Sequence, residues 1–71
     1  MRKKRTTKMV HEGGYMAEVD VELIYADEGW SPYISLEDAR KLDEVREALR
    51  QRDLLTAARQ ARIYTLTPLA V

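Results

Sequence analysis

The segment from Tyr15 to Tyr25 alternates between two kinds of residue. Its odd positions are apolar or aromatic, whereas Glu18, Asp20 and Glu22 occupy the middle of its even positions. Successive side chains of a strand point to opposite faces of a sheet, while a helix would spread these carboxylates around its circumference. The pattern therefore predicts a strand with one buried face and one exposed, acidic face.

The length of the chain predicts one small domain over residues 1–71, with a flexible basic arm at residues 1–4. A chain of this size buries only about 60% of its unfolded surface, so we expect a homodimer or another protein partner to add stability. The chain contains no cysteine, which excludes disulfides and thiolate–metal sites. It has no apolar run that could span a membrane and no secretory signal pattern, so we expect a cytoplasmic protein without a membrane partner.

Charge is segregated along the chain although the net charge is zero. Residues 1–10 contain basic side chains and no acid, whereas residues 11–39 contain acids but neither lysine nor arginine. Such asymmetry indicates either a nucleic-acid-binding arm or two parts of one fold that neutralise each other. The register of the first hairpin distinguishes these alternatives.

The first hairpin is predicted to turn through a three-residue loop, Glu12 to Gly14, with Gly14 in the left-handed conformation. On the buried face this register pairs His11 with Tyr15, Met9 with Ala17 and Thr7 with Val19. On the exposed face it pairs Lys8 with Glu18, Thr6 with Asp20 and Lys4 with Glu22. Cross-strand pairs of opposite charge are worth a few tenths to about 1 kcal/mol each, whereas a two-residue loop would place Lys8 opposite Val19. We therefore predict that the acidic face of the central strand neutralises the basic arm.

The second hairpin is predicted to turn through Ala26 to Gly29. This register places three pairs on the buried face: Tyr25 with Trp30, Leu23 with Pro32, and Val21 with Ile34. Because Pro32 has no backbone N–H to donate, the strand from Trp30 to Ile34 is predicted to lie at an edge of the sheet.

Two helices and a fourth strand are predicted to follow the hairpins. Ser35 is a preferred N-cap residue and begins a helix that extends to about Gln51. The apolar stripe of this helix is Leu36, Ala39, Leu42, Val45, Ala48 and Leu49. Asp53 begins a second, short helix that packs through Leu54, Leu55, Ala58 and Ala61. The segment from Arg62 to Thr67 is rich in strand formers, and we expect it beside the first strand. The predicted fold is α+β, a small antiparallel sheet in the order β-β-β-α-α-β with two helices packed on one face.

No residue pattern indicates catalysis. His11 is the only histidine, so it cannot supply the paired histidines of a metalloprotease zinc site. Ser31 and Ser35 have no histidine nearby in the sequence to act as a base. The carboxylates of the central strand lie on a flat exposed face, which does not prepare a carboxylate for acid–base chemistry. We therefore expect no catalytic, cofactor-binding or metal-binding residue and no enzyme activity.

Two surfaces are candidates for binding. Met16, Ile24 and Tyr33 are predicted to form an apolar patch on the acidic outer face of the sheet, where aromatic and Met side chains favour contact with a protein partner. The alternative is a nucleic-acid surface that combines the basic arm with helix arginines. Its residues are Arg2, Lys3, Lys4, Arg5, Arg50 and Arg59.

The segments Gly14-Tyr15-Met16-Ala17 and Ser35-Leu36-Glu37-Asp38-Ala39 resemble two motifs of HicB-like antitoxins. In that family a Gly-Tyr-x-Ala strand start precedes a Thr/Ser-x-Glu-Glu-Ala helix start, and Glu47-Ala48-Leu49 adds a further match. The family's Pro-Asp-Leu-Pro-Gly-Cys segment has no counterpart in this chain. The resemblance implies a protein that masks a partner, such as a toxin, and has no activity of its own. The stretch from Glu28 to Leu49 is also similar to small uncharacterised prokaryotic proteins of comparable length.

Overall fold

Four strands and two helices follow one another in the predicted order within residues 2–26 and 31–70, the part of the chain that this computed structural model describes. The strands are β1 (Arg2–Glu12), β2 (Tyr15–Tyr25), β3 (Tyr33–Ile34) and β4 (Arg62–Thr65), and the helices are α1 (Leu36–Arg50) and α2 (Leu54–Ala58). All strand pairs are antiparallel, and both helices contribute to one core on one face of the sheet. The α+β prediction is confirmed.

The central strand β2 has the two faces that its alternation predicts. It pairs with β1 along its whole length, and its other edge pairs with β3 at one end and β4 at the other. The odd residues Ala17, Val19 and Val21 are at most 2% exposed and pack in one core with Val45 and Leu49 of α1. The even residues lie on the opposite face, which neither α1 nor α2 covers.

The first hairpin does not have the predicted register. Glu12 pairs with Tyr15, so the turn consists of Gly13 and Gly14 alone. Gly13 has φ +60°, the left-handed value that a type II′ turn requires at its first central residue; the predicted left-handed residue, Gly14, does not adopt it. Primed two-residue turns match the right-handed twist of the paired strands, which favours this loop over the three-residue alternative.

The observed register moves Lys4 and Lys8 of β1 to the helix side of the sheet. Lys8 pairs with Val19 and Lys4 with Leu23, so the predicted pairs of these lysines with Glu18 and Glu22 are wrong. The other predicted pairs are also shifted by one residue: His11 pairs with Met16, Val10 with Ala17, Thr7 with Asp20 and Thr6 with Val21. Val10 is buried in the place predicted for Met9, while Lys4 and Lys8 remain exposed. Because the helices leave this part of β1 uncovered, the register buries no lysine.

The basic arm is part of the sheet. Arg2, Lys3 and Lys4 pair with Tyr25, Ile24 and Leu23, so residues 2–4 belong to β1 rather than to the predicted flexible arm.

The second hairpin keeps the predicted faces but is shifted by two residues. Leu23 pairs with Ile34, where Pro32 was the predicted partner, and Ile24 pairs with Tyr33. The strand comprises only Tyr33–Ile34. Residues 27–30, with the predicted loop and the predicted pair of Tyr25 with Trp30, lie outside the described residues.

The fourth strand was predicted beside β1, but it lies beside β2. Arg62 pairs with Glu18 and Tyr64 with Met16. Because β3 is only two residues long, it leaves most of that edge of β2 open for β4. The strand ends at Thr65 rather than Thr67, although Leu66 N–H still donates to the Gly14 carbonyl at 2.8 Å.

Side chains from α1 close the edge of β2 between β3 and β4. Asp38 Oδ2 accepts a hydrogen bond from Glu22 N–H at 2.8 Å. Lys41 Nζ donates to the Asp20 carbonyl and lies 3.9 Å from Asp38 Oδ1. Asp38 and Lys41 are neighbours on the surface of α1, which lets them reach successive backbone groups of the strand. This edge of β2 is therefore occupied by β3, α1 and β4 in turn.

Both helices begin at the predicted caps. Ser35 Oγ accepts from Asp38 N–H at 3.1 Å, and Asp53 Oδ1 accepts from Thr56 N–H at 3.3 Å. These bonds satisfy backbone donors that have no partner within the helix.

The buried faces of the helices are narrower than predicted. Val45, Ala48 and Leu49 of the α1 stripe are buried, but Leu36 is exposed. On α2 the buried residue is Ala57, and the predicted packing residues Leu54, Leu55 and Ala58 are exposed.

Candidate interaction surface

The sheet has an uncovered face, which we call the open sheet face. It consists of the odd residues of β1, the even residues of β2, and Tyr33, Arg62 and Tyr64 from the two shorter strands. The molecule measures 45 × 31 × 14 Å, so its shortest dimension is that of a sheet with one thin helix layer. Within the described residues this face is therefore a broad sheet surface without a helix on it.

The middle of the open sheet face is charged and internally paired. Arg62 Nη2 lies 3.0 Å from Asp20 Oδ1, and Arg62 Nε lies 3.6 Å from Glu18 Oε1. Thr7 Oγ1 donates to Asp20 Oδ1 at 3.4 Å from the other side, and Arg5 pairs across the strands with Glu22. The ion pairs of the acidic stripe are thus made by Arg62, and the predicted lysine pairs do not form; from β1, Arg5 lies opposite Glu22 without an ion pair, and its charge contributes to the lowered pKa of Asp20.

The pKa values of this cluster do not favour acid–base catalysis. The hydrogen bond from Arg62, and then its positive charge, hold the pKa of the Asp20 carboxyl below its usual value. The same hydrogen bond and the charge of Asp20 raise the pKa of Arg62. A carboxyl group that acts as a general acid or base near neutral pH needs a raised pKa instead. The pairing therefore indicates a structural role for Asp20.

One end of the open sheet face, near the Gly13–Gly14 turn, is apolar. Met16 lies between His11 of β1 and Tyr64 of β4, and Met9 lies in the next row. Met9 is 57% exposed and Tyr64 is 47% exposed. Interaction with Glu18, and then partial burial, raise the pKa of the Tyr64 phenol. We call Met9, Met16 and Tyr64 the turn-end patch.

The predicted patch of Met16, Ile24 and Tyr33 is divided between the two ends of the sheet. Ile24 and Tyr33 are register partners, and Tyr33 is 50% exposed. Met16 lies eight positions away on β2, which corresponds to about 26 Å along a strand. All three side chains lie on the open sheet face, but only Ile24 and Tyr33 are adjacent.

Tyr64 and Met9 are the contributors that the sequence reasoning missed. The strand containing Tyr64 was predicted beside β1, and the predicted register placed Met9 on the buried face. The signal in the sequence is that Arg62 and Tyr64 are two residues apart and so lie on the same face of a strand. If that strand is placed beside β2, they lie on the face of its even residues.

The predicted nucleic-acid surface is also divided. Arg2, Lys3, Lys4 and Arg5 lie together on β1, where the Arg2 guanidinium is 5.6 Å from the centre of the Tyr25 ring. Arg50 is at the other end of that strand, 3.4 Å from Glu12 Oε1 and 3.7 Å from Glu47 Oε2. Arg59 caps the C-terminus of α2. The arm residues are thus consecutive on β1 but alternate between the two faces of the sheet, and the two helix arginines lie elsewhere.

Several open depressions lie on the surface of the described residues. The first lies between the Gly13–Gly14 turn, Leu49 and Leu66 and has a volume of about 530 Å³. Nearby, His11 Nε2 is 3.0 Å from the Gly13 carbonyl, so the histidine is engaged by backbone. Among residues 2–26 and 31–70 we find no cluster of His, Asp and Glu that could hold a metal ion and no helix that could cross a membrane.

Comparisons of the chain with protein families, curated proteins and solved structures found no match.

Proposed function

We propose that this protein is a non-enzymatic, cytoplasmic interaction module that forms a homodimer and binds a second protein through its open sheet face. The observation that carries the proposal is the arrangement of that face: exposed apolar side chains at both ends of a paired, charged middle. Exposed Tyr and Met side chains provide large contact areas, and the charged middle selects a complementary partner. An antiparallel sheet that had no partner would be expected to present a uniformly polar face.

The dimensions of the chain support a role in association. Its radius of gyration is 14.3 Å, whereas a compact chain of this length has a value of about 11 Å. Its accessible surface is 5701 Å², compared with about 4,500 Å² for a compact protein of this mass. The difference, about 1,200 Å², is of the order of the roughly 800 Å² that each partner buries in a specific protein interface.

The proposed class of partner is a toxin-like protein, as the resemblance to HicB-like antitoxins implies. The two matching segments contain the start of β2 at Tyr15 and the N-cap of α1 at Ser35. An antitoxin of this kind acts by masking its partner, which requires a binding surface and no catalytic residue.

Capture of partners with the tagged protein tests this proposal. The test variant, Met9→Lys with Tyr64→Lys, places two charges in the turn-end patch, and we expect it to raise the dissociation constant of the captured protein at least about 30-fold, the scale of one hot-spot residue. The control is Leu55→Lys, a residue of α2 that is 79% exposed. The proposal requires that the same protein is retained by the wild type and the control and lost by the test variant. Recovery of the bait alone, or equal retention by all three forms, would contradict it.

Nucleic-acid binding is the second candidate function, and one observation favours it. Lys4 and Lys8 are exposed on the helix side of β1, and no acid of the described residues lies within ion-pair distance of either. These two side chains are therefore available to phosphate groups.

The salt dependence of RNA or DNA binding tests this candidate. The variant Lys4→Gln with Lys8→Gln should flatten the plot of log affinity against log salt by about 0.9 per lost phosphate contact. The matched control, Arg40→Gln with Arg46→Gln, removes two exposed charges from α1 and should leave the slope unchanged. Absence of salt-dependent binding by the intact protein would eliminate this function.

A further inference from the structure

The outer edge of β1 is a long row of backbone groups that no described strand pairs with. β1 extends from Arg2 to Glu12 without interruption, contains no proline, and pairs only with β2. Such an edge is a template for another strand unless a protein blocks it. The opposite edge of the sheet is already occupied, because β3, Asp38 and Lys41 of α1, and β4 follow one another along β2.

The direction of the backbone groups of β1 follows from the contacts of β2. The even residues of β2 direct their backbone groups away from β1, since Glu22 N–H donates to Asp38 and the Asp20 carbonyl accepts from Lys41. The odd residues of β2 therefore bond to the even residues of β1, with which they pair. It follows that the odd residues of β1, from Lys3 to His11, direct their N–H and C=O groups to the outer edge.

We propose that a second copy of this chain pairs with this edge, antiparallel, about a two-fold axis at Thr7. Thr7 then faces Thr7 of the second copy, Arg5 faces Met9, and Lys3 faces His11. All of these are odd residues, as the outward backbone groups require. The two sheets join into one, with the helices of both copies on the same face. The inference names the site and partner of the homodimer in the proposed function and rests on that function.

The charges of β1 select this register. It is the only one that pairs the whole strand, and it places Arg2 opposite Glu12 of the second copy with no two cations directly opposite. A shift by two residues in one direction places Lys8 opposite Lys8, and a shift in the other direction places Lys4 opposite Lys8. Like charges directly opposite on paired strands are destabilising. Glu12 already lies 3.4 Å from Arg50, and its second carboxylate oxygen can accept from Arg2.

Single-cysteine variants test the edge and its register, because the chain has no cysteine of its own. Directly opposite residues in such a pair have Cα atoms about 5.5 Å apart, within the span of a disulfide. We therefore expect Thr7→Cys to form a disulfide-linked dimer in a glutathione redox buffer. The control Met9→Cys should not link to itself, because the two copies of residue 9 would be about 13 Å apart along the strand. An equal mixture of Arg5→Cys and Met9→Cys should link to each other.

The outcomes separate this inference from the rest of the proposed function. Linkage of Thr7→Cys and of the Arg5→Cys/Met9→Cys mixture, without linkage of Met9→Cys alone, supports the inference. Linkage of all variants to the same extent, or of none, overturns the inference. If circular dichroism shows that Thr7→Cys does not fold, the mixture of Arg5→Cys and Met9→Cys is the deciding experiment. A monomeric wild type also overturns the inference. The proposed binding of a different protein by the turn-end patch would not be contradicted by that result.

Salt gives an independent readout on the wild type. Each β1 contributes Arg2, Lys3, Lys4, Arg5 and Lys8 against the single acid Glu12, so the cations of two paired edges repel each other locally. Screening by salt should therefore tighten the dimer, whereas it weakens binding to nucleic acid. A dimer that dissociates as salt is raised contradicts pairing at this edge.

Discussion

At the scale of single residues, Arg62 is the residue that organises the open sheet face. It reaches from β4 to two carboxylates of β2, at 3.0 Å from Asp20 and 3.6 Å from Glu18. It thereby joins the last strand of the chain to the centre of the sheet by side chains as well as by backbone. Each surface ion pair contributes little to the stability of a protein. We therefore expect Arg62 to affect the pKa of Asp20 more clearly than the free energy of unfolding.

Titration of Asp20 tests this role of Arg62. The folded-state pKa of Asp20 is lowered, first by the hydrogen bond from Arg62, so the carboxylate stabilises the fold above its unfolded pKa of about 3.9. This contribution is lost as the pH falls through the folded pKa. The stability advantage of the wild type over Asp20→Asn should therefore be constant down to about pH 5 and disappear at lower pH.

Nuclear magnetic resonance of the carboxyl carbon measures the same effect directly. Arg62→Gln should raise the pKa of Asp20 toward its usual value, and the control Arg59→Gln should not change it. An Asp20 pKa that is the same in the wild type and Arg62→Gln would contradict the pairing.

Alanine substitution of the two glycines in the first turn is predicted to change the free energy of unfolding in opposite directions. Gly13 has φ +60° and Gly14 does not lie in the left-handed region. Gly13→Ala should therefore lower the free energy of unfolding by about 1–2 kcal/mol. Gly14→Ala should leave it unchanged or raise it by about 0.4–1 kcal/mol, since nothing lies near the added methyl group and the unfolded chain loses freedom. Urea unfolding of both variants measures this, and the reverse order would indicate the three-residue loop.

At the scale of elements, the sequence predicts the faces of the strands better than their registers. The alternation from Tyr15 to Tyr25 identifies the buried face because burial of each valine is worth about 1.5–3 kcal/mol. The predicted register of β1, by contrast, was based on cross-strand charge pairs worth at most about 1 kcal/mol each. The turn geometry of Gly13 and the burial of Val10 outweighed them, and Lys8 incurred no penalty because α1 does not cover it.

Only part of the candidate site was predicted, because a local pattern specifies the face of a strand but not its register or its neighbours. The outer face of Met16, Ile24 and Tyr33 followed from alternation, which is local. Their grouping did not, because it depends on distance along β2 and on which strand lies beside it. Tyr64 entered the site only through the pairing of β4 with β2. The alternation of Arg62 and Tyr64 fits this pairing, but it does not by itself select β2 over β1 as the neighbour.

The N-cap of α1 is predicted to be worth a measurable part of the stability. Ser35 Oγ accepts from Asp38 N–H at 3.1 Å, and loss of such a cap costs about 1 kcal/mol. Ser35→Ala should therefore lower the free energy of unfolding by this amount in urea. Ser31→Ala, at an exposed position outside the helix, is the matched control and should change it by less than about 0.5 kcal/mol. Equal effects of the two substitutions would show that the cap does not form.

The contact between α1 and the edge of β2 predicts a specific pattern of amide exchange. Glu22 N–H donates to Asp38 Oδ2 at 2.8 Å, so Asp38→Ala should accelerate hydrogen exchange at Glu22. Asp43→Ala, also on α1, should not. If the Glu22 amide exchanges at the same rate in the wild type and Asp38→Ala, the edge is closed in another way.

At the scale of the whole molecule, the small core and the extended sheet belong together. The core residues are Val, Ala and Leu, and the largest fully buried side chains are the valines Val10, Val19 and Val45. Such a core stabilises a monomer weakly, because the buried area scales with side-chain size. A second copy on β1 would add backbone hydrogen bonds without requiring a larger core.

Association of this kind makes stability depend on protein concentration. Mass action favours the folded dimer as the concentration rises. The midpoint of thermal unfolding should therefore increase with concentration, and the sedimentation mass should approach twice 8.2 kDa. A midpoint that does not change over a hundredfold range of concentration would contradict coupled folding and dimerisation.

The exchange rates of the β1 amides test the central claim, that the edge of β1 is paired in solution, more directly than any other measurement. If a second copy covers this edge, the amides of Lys3, Arg5, Thr7, Met9 and His11 should exchange as slowly as those of their even neighbours, which bond to β2. If the edge is open, these five amides should exchange rapidly while the even ones remain protected.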